Sequence, residues 1–360
     1  MLRGRFNIVV GAQAGSEAKG KFSAFLARKF EPSALFMAAS PNAGHTYVDD
    51  EGVKWVTYHL PAAIHSTDCP VYLGPSSVIN PSLLLSEVTL CGIDPSRIFI
   101  DPRAISITPM MLEGERFVGL SDIGSTLQGV GVARISKISR PPSLTFLYDL
   151  FTGKDAKFAN PGFRFESSSP SLSSILRSFG TVLAEMTQGF DLDLEHGIHP
   201  RYCTSKMINP SMCMAEAGIN PHLLGHVYGV LRPYPIRVNN RTGTSGPYAE
   251  AQEITWDAVK EGCGAPVSLN ELTTTTKLPR RVFTFSWNRF RRFVETCGPD
   301  HLCLQFSNYI DWMDYGKQDW SEISDRTKSF ISELEREAGC RVSYVGTGPQ
   351  DSHMVDRLID

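Results

Sequence analysis

The stretch GAQAGSEAKGK, Gly11 to Lys21, constrains the fold most, because of what stands on either side of it. Before it, Phe6–Val10 is mostly apolar and alternates poorly, as a central strand buried on both faces does. After it, Lys19–Arg28 places Phe22, Phe25 and Leu26 on one helical face. Strand, glycine-rich turn and helix together form the setting of a phosphate cradle. There the N–H groups of the turn and the positive end of the helix dipole face one anion. Lys19 and Lys21 flank Gly20 in the first helical turn, where unpaired cations oppose the dipole and a polyphosphate would relieve them. Counted from Gly15, the stretch nearly matches G-x-x-x-x-G-K-[ST]. The hydroxyl that this pattern offers to Mg²⁺ is missing. Phe22 stands there, and Ser23 comes one residue late.

The rest of the chain alternates in kind. Strands are expected at Ala34–Ala38, Pro70–Leu73, Ile98–Ile100, Thr181–Met186, Val227–Leu231 and His301–Phe306, and helices at Ser82–Cys91, Trp287–Cys297 and Asp325–Ala338. That order predicts an α/β protein. Residues 141–170, rich in Ser, Pro and Gly, are expected to form surface connections. No linker or repeat divides the 360 residues, so one large domain is expected over 1–360. Lys and Arg number 35 against 38 Asp and Glu, a net charge of −3, so no global basic field recruits nucleic acid or an anionic membrane. No stretch approaches the roughly 20 apolar residues of a membrane span, and the first residues lack the pattern of a signal peptide. Eight cysteines without a C-x-x-C pair suit reduced thiols in a cytosolic protein.

Two further stretches carry chemistry. Pro41-Asn42-Ala43-Gly44-His45-Thr46 follows the apolar run Ala34–Ala38, where α/β proteins place ligand loops, and His45 suits proton transfer near neutral pH. Thr273 to Arg281 reads TTTTKLPRR. It is either a solvated basic loop or a carboxylate clamp of hydroxyls and a guanidinium fork.

Taken together, GAQAGSEAKGK, NAGHT and TTKLPRR resemble the adenylosuccinate synthetase family, whose versions are G-A-Q-W-G-D-E-G-K-G-K, N-A-G-H-T and T-T-G-R-P-R-R. IGSTLQGVGVARISKISR at 123–140, EMTQGFDLDLEHGIHP at 185–200 and GTGP at 346–349 extend the likeness over nearly the whole chain. It implies a central, mostly parallel sheet flanked by helices, with a P-loop NTPase-like core. It also implies ligation of L-aspartate to a purine nucleotide through a 6-phosphoryl intermediate. By that resemblance the donor nucleotide meets Gly15, Ser16, Glu17, Ala18, Lys19, Gly20 and Lys21 of the cradle, and Gly44, His45 and Thr46 beyond it. Gln305, Asn308, Gly346, Thr347, Gly348 and Pro349 complete that set. The monophosphate meets Ser16, Asn42, Ser125, Thr126, Gln188, Cys203 and Thr204, and Arg140 reaches in from the partner of a homodimer. Aspartate meets Thr274, Thr275, Thr276 and Arg280. Mg²⁺ is held at Ser16 and the Gly44 carbonyl, which explains why Phe22 needs no hydroxyl. Ser16, His45 and Gln188 are the catalytic set.

Three departures from the family shift the expected substrates. Ser16 stands where the family has an Asp that takes the purine N1 proton. Serine is a poor base but leaves room for a 2-amino group, so guanine fits in place of hypoxanthine. N1 proton removal then falls to water, to a water oriented by Gln188, or to acidity created by O6 phosphorylation. Leu278 replaces an Arg near the ribose and suits a 2′-deoxyribose. Asn308 replaces the Asp that reads guanine on GTP, and its amide can read adenine. This set resembles the bacteriophage branch of the family, which joins aspartate to dGMP using ATP on the way to 2,6-diaminopurine nucleotides for phage DNA. The host cytoplasm is the expected location. An ordinary IMP- and GTP-using synthetase and a non-catalytic nucleotide sensor are the alternatives.

Overall fold

The computed structural model describes residues 5–117, 125–154, 156–238, 245–248, 250–273 and 277–359. Ten strands form its large sheet. In spatial order they are Met354–Asp356, Arg341–Gly346, His301–Gln305, Leu224–Leu231, Phe6–Gly11, Val182–Gly189, Ala34–Met37, Val71–Leu73, Ile98–Ile100 and Arg164–Phe165. Neighbours run parallel throughout, except that Met354–Asp356 lies antiparallel on Arg341–Gly346. The architecture is the expected α/β one. The helices Trp287–Cys297 and Asp325–Ala338 form over the residues their patterns mark. Each starts on a serine side chain (Ser286, Ser324) that accepts a backbone N–H, and each ends at a left-handed glycine.

Phe6–Gly11 is buried along its whole length, because helices cover both faces of the sheet. Phe6, Ile8 and Val10 pack on one side with Phe36 and Leu304. Val9 points to the other side, toward Phe22 and Leu26 of the helix Lys19–Phe30. From this first strand the chain builds outward on one flank. It then returns to insert Val182–Gly189 beside the first strand and crosses to the other flank with Leu224–Leu231. This reversal leaves a crevice over the carboxyl ends of the three central strands, where open α/β sheets bind ligands.

Residues 141–170 depart from the expectation of plain surface connections. Leu147–Phe151 is a helix and Arg164–Phe165 an edge strand beside Ile98–Ile100. Leu147, Phe151 and Phe163 are buried in the core on the helix 19–30 side. Their apolar side chains anchor a segment whose Ser, Pro and Gly content suggests only turns.

The cradle loop lies so close to Val182–Gly189 that Gly189 has no room for a side chain. A Cβ there would sit 2.6 Å from the Glu17 carboxylate and 2.7 Å from the Gly15 amide, and would strike the Gln13 carbonyl. Gly189→Ala should therefore destabilise the protein by about 1–3 kcal/mol. A denaturant midpoint equal to wild type would contradict this tight contact.

Candidate active site

A cavity of about 840 Å³ opens over the crevice, and most of the expected site residues share it. Gly15, Ser16, Ala18, Lys19, Gly20 and Lys21 form its floor. Asn42, Gly44, His45, Thr46, Ser125, Thr126, Gln188, Cys203 and Thr204 line it, as do Leu278, Arg280, Gln305 and Pro349.

In the cradle, Gly15, Ser16 and Ala18 all have left-handed backbone (φ 88°, 61° and 68°). This turns the loop around the Glu17 carboxylate, which is fully buried. Glu17 accepts the N–H of Gln13 (3.2 Å) and of Gly15 (2.7 Å), and the Lys19 ammonium at 2.9 Å. Lys21 donates to the carbonyls of Gly348 (2.6 Å) and His353 (2.7 Å). The expectation of two unpaired lysines is thus corrected. Glu17 compensates Lys19 and two carbonyls hold Lys21, so the protein relieves the conflict with the dipole itself. The helix start has no side-chain cap, since Ala18 offers none, and its first residues Lys19, Gly20 and Lys21 line the cavity.

His45 opens the hairpin strand His45–Val48. Its Nδ1 lies 2.5 Å from Glu185 Oε1, and Glu185 Oε2 accepts the Ala62 N–H at 3.0 Å. His45 Nε2 is buried and has no partner. A carboxylate on Nδ1 fixes the ring and leaves Nε2 for a bound group. Sequence reasoning missed Glu185. A lone acid in the middle of an apolar strand was the available signal.

Among the residues expected to meet the monophosphate, Thr126 Oγ1 donates to Asn42 Oδ1 at 2.8 Å. Ser125 Oγ accepts the Leu127 N–H. The Cys203 thiol points to the Pro200 carbonyl (3.3 Å), while the Thr204 N–H bonds Leu192. Arg140 lies away from the cavity, exposed at the end of the helix Val130–Ser139. Thr274, Thr275 and Thr276 fall outside the described residues. Arg280 binds Glu271 at 2.8 Å and leaves its buried Nε unpartnered. Glu271 also pairs with Arg232, and neither was anticipated.

Gln305, expected to meet the donor nucleotide, lines the cavity with Phe306 and Tyr309, whose rings stack 5.0 Å apart. Asn308 lies buried behind them, and Asn308 Oδ1 and Gln305 Oε1 both lack partners. The GTGP segment mostly supports the wall. The Gly348 carbonyl takes Lys21 and the Gln305 amide, Thr347 bonds the Lys317 carbonyl, and Gly346 packs against Gln305. Among the described residues no three His, Cys, Asp or Glu cluster as a metal site. Ser16 and Gly44 offer only neutral oxygens, a set that suits Mg²⁺ when substrate phosphates bring the charge.

A glycine-rich loop at a helix start, a histidine held by a carboxylate and two arginines on Glu271, gathered over the carboxyl ends of a parallel sheet, suit a nucleotide-dependent α/β enzyme site. The adenylosuccinate synthetase family model matches residues 8–160 and 163–316. The chain belongs to the adenylosuccinate synthetase family. It is 33% identical to the N6-succino-2-amino-2′-deoxyadenylate synthase of Vibrio phage phiVC8 over 352 residues, 95% of each chain. It is 29% identical to the adenylosuccinate synthetase of Methanococcus vannielii, over 97% of this chain and 98% of the other. The succinoaminodeoxyadenylate synthetase of cyanophage S-2L, solved with dGMP and with dATP as an energy donor, superposes with a TM-score of 0.84 at 30% identity. That match covers 98% of this chain and 95% of the phage enzyme.

Burial lowers the Lys21 ammonium from 10.5 to about 7, with Asp50 partly offsetting the effect. Its folded value lies below its unfolded one. Between pH 7 and 10.5 the unfolded chain therefore holds the extra proton, and stability rises with pH. Wild type should gain stability across that window relative to Lys21→Met, and side-chain NMR should find the Lys21 midpoint near 7. A midpoint near 10 would refute it.

Proposed function

We propose that this protein is a ligase that joins L-aspartate to dGMP at the expense of ATP, giving 2-amino-2′-deoxy-N6-succinyladenylate. The observation that carries the reading is Ser16, a small neutral side chain at the cavity wall in a site whose cradle and histidine are otherwise complete. The likeness to phage synthases of that name supports it, as does the lining position of Leu278.

In this reading the γ-phosphoryl group of ATP passes to O6 of guanine. The aspartate amino group then attacks C6, the C–N bond forms and phosphate leaves. His45 donates from Nε2 to the oxygen on which charge develops, and Glu185 stabilises the ring as it does so. Ser16 accommodates the 2-amino edge without acting as a base, and Gln188 orients the same edge. Thr126, Asn42, Ser125, Cys203 and Thr204 receive the monophosphate. Arg280 and the threonines Thr274–Thr276 receive aspartate. Ser16 and the Gly44 carbonyl would hold Mg²⁺, which would supply charge neutralisation for the phosphates. Asn308 reads the donor base, since an amide can accept from the 6-amino group of adenine and donate to its N1. The protein acts as a homodimer across the helix Val130–Ser139, which exposes Ile135 and Ile138 beside Arg140. No helix among the described residues is long and apolar enough to cross a membrane, in keeping with action in the cytoplasm of a host cell.

The test is product identification with aspartate, Mg²⁺ and each pairing of dGMP, GMP or IMP with ATP, dATP or GTP. Only dGMP with an adenine donor should turn over efficiently, and preference for IMP with GTP would overturn the reading. Ser16→Asp should lower kcat/KM for dGMP roughly 10- to 100-fold more than for IMP. Higher dGMP turnover in that variant would remove the steric argument. Asn308→Asp should shift donor preference toward GTP, because a carboxylate pairs with the N1 and 2-amino donors of guanine. Removing either part of the histidine pair (His45→Ala or Glu185→Gln) should depress kcat by roughly 10²-fold or more while nucleotide affinity holds. Near-normal turnover in His45→Ala would exclude its role.

A further inference from the structure

Arg232 follows the strand Leu224–Leu231 directly and is fully buried. Its backbone exchanges two hydrogen bonds with the cradle residue Gln13: Arg232 N–H to Gln13 Oε1 at 3.0 Å, and Gln13 Nε2 to the Arg232 carbonyl at 2.9 Å. Its guanidinium then touches three walls of the cavity. Nη1 donates to the Ser16 carbonyl at 3.1 Å. Nη1 and Nη2 grip both oxygens of Glu271 at 3.0 and 2.6 Å. The guanidinium lies 4.3 Å from the centre of the Phe306 ring, a cation–π contact on the donor side. Glu271 is shared in turn, because its Oε2 also accepts Arg280 Nη1.

Burial alone would push the Glu271 carboxyl upward, but Arg232 and Arg280 hold it at about 2. The trio is therefore two guanidiniums on one carboxylate with a surplus of one positive charge. Arg280 is its outer member, with a buried Nε that has no partner. A planar fork bound at both oxygens fixes the carboxylate's orientation as well as its charge, which a lysine cannot do. The backbone of Arg280 is held in its strand, and its guanidinium is oriented through Glu271 by Arg232. Arg232 is itself pinned to Ser16 and Gln13.

We propose that Arg232 is a positioning residue that keeps the Glu271–Arg280 wall in register with the cradle, so that aspartate binding depends on the cradle being correctly set. The aspartate assignment rests on the ligase reading above. The expected coupling is of the size that links two sites in one protein, about 5- to 150-fold.

Arg232→Lys keeps the charge and loses the fork. Measured at saturating nucleotides, its KM for aspartate should rise at least about tenfold, while calorimetric binding of dGMP without aspartate stays within about twofold. Glu271→Gln, which keeps the volume, should give the same split, and serves alone if Arg232→Lys does not fold. The double variant should be no worse than the worse single one, because both break one link. An unchanged KM for aspartate, or dGMP affinity falling by the same factor, would overturn the proposal. If wild type uses IMP instead of dGMP, the substrate reading fails and the same comparison is made with IMP. A readout without turnover is amide exchange in peptides covering 264–273 and 277–285. Adding nucleotide should slow it in wild type but not in Arg232→Lys, and equal slowing in both would overturn the coupling.

Discussion

The close approach of the cradle loop to Gly189 governs the geometry of the whole site. With no Cβ at Gly189, the loop folds down onto the neighbouring strand, and the Glu17 carboxylate fits beneath it to bond the Gln13 and Gly15 amides. That seat holds Ser16 in its left-handed conformation at the cavity wall and places Gln188, also left-handed, beside it. It also aligns Gln13 with Arg232 at the end of the next strand. The ends of three adjacent strands are thus tied together at the crevice by Glu17, Gln13 and Arg232.

The buried charges of the site compensate one another. Glu17 pairs with Lys19, Glu185 with His45, and Glu271 with both Arg232 and Arg280. Such pairs are costly to bury, and breaking an ion pair leaves a buried charge uncompensated, whereas an intact pair holds its side chains in one orientation. The atoms left without partners are the informative ones. At the site they include Nε2 of His45, Nε of Arg280, Nε of Arg232, Nη1 of Arg237, Oε1 of Gln305 and Oδ1 of Asn308. Buried polar groups are otherwise nearly always paired. In the proposed reaction a substrate oxygen, a carboxylate and a base amino group would complete part of this network.

Much of this was legible in one dimension. Phe6–Gly11, the glycine-rich turn and the helix that follows are local, and the apolar period alone places them. The capped helices Trp287–Cys297 and Asp325–Ala338 are equally local, each set by a serine before it and a glycine after it. Residues 141–170 were misread because composition describes solvent-facing turns well and sparse anchors poorly. Leu147, Phe151 and Phe163 find their core only when the distant strands Val71–Leu73 and Ile98–Ile100 are in place.

The sequence by itself determined the chemical alphabet of the site: a cradle, a histidine after a strand, a basic loop and a serine where a stronger base belongs. Only the tertiary structure decided who pairs with whom. Lys21 meets carbonyls 327 and 332 residues away, His45 meets Glu185 across 140, and Arg232 meets Ser16 across 216. Those pairings depend on which strands lie side by side. Strand order in a parallel sheet is set by crossover connections and core packing rather than by local pattern.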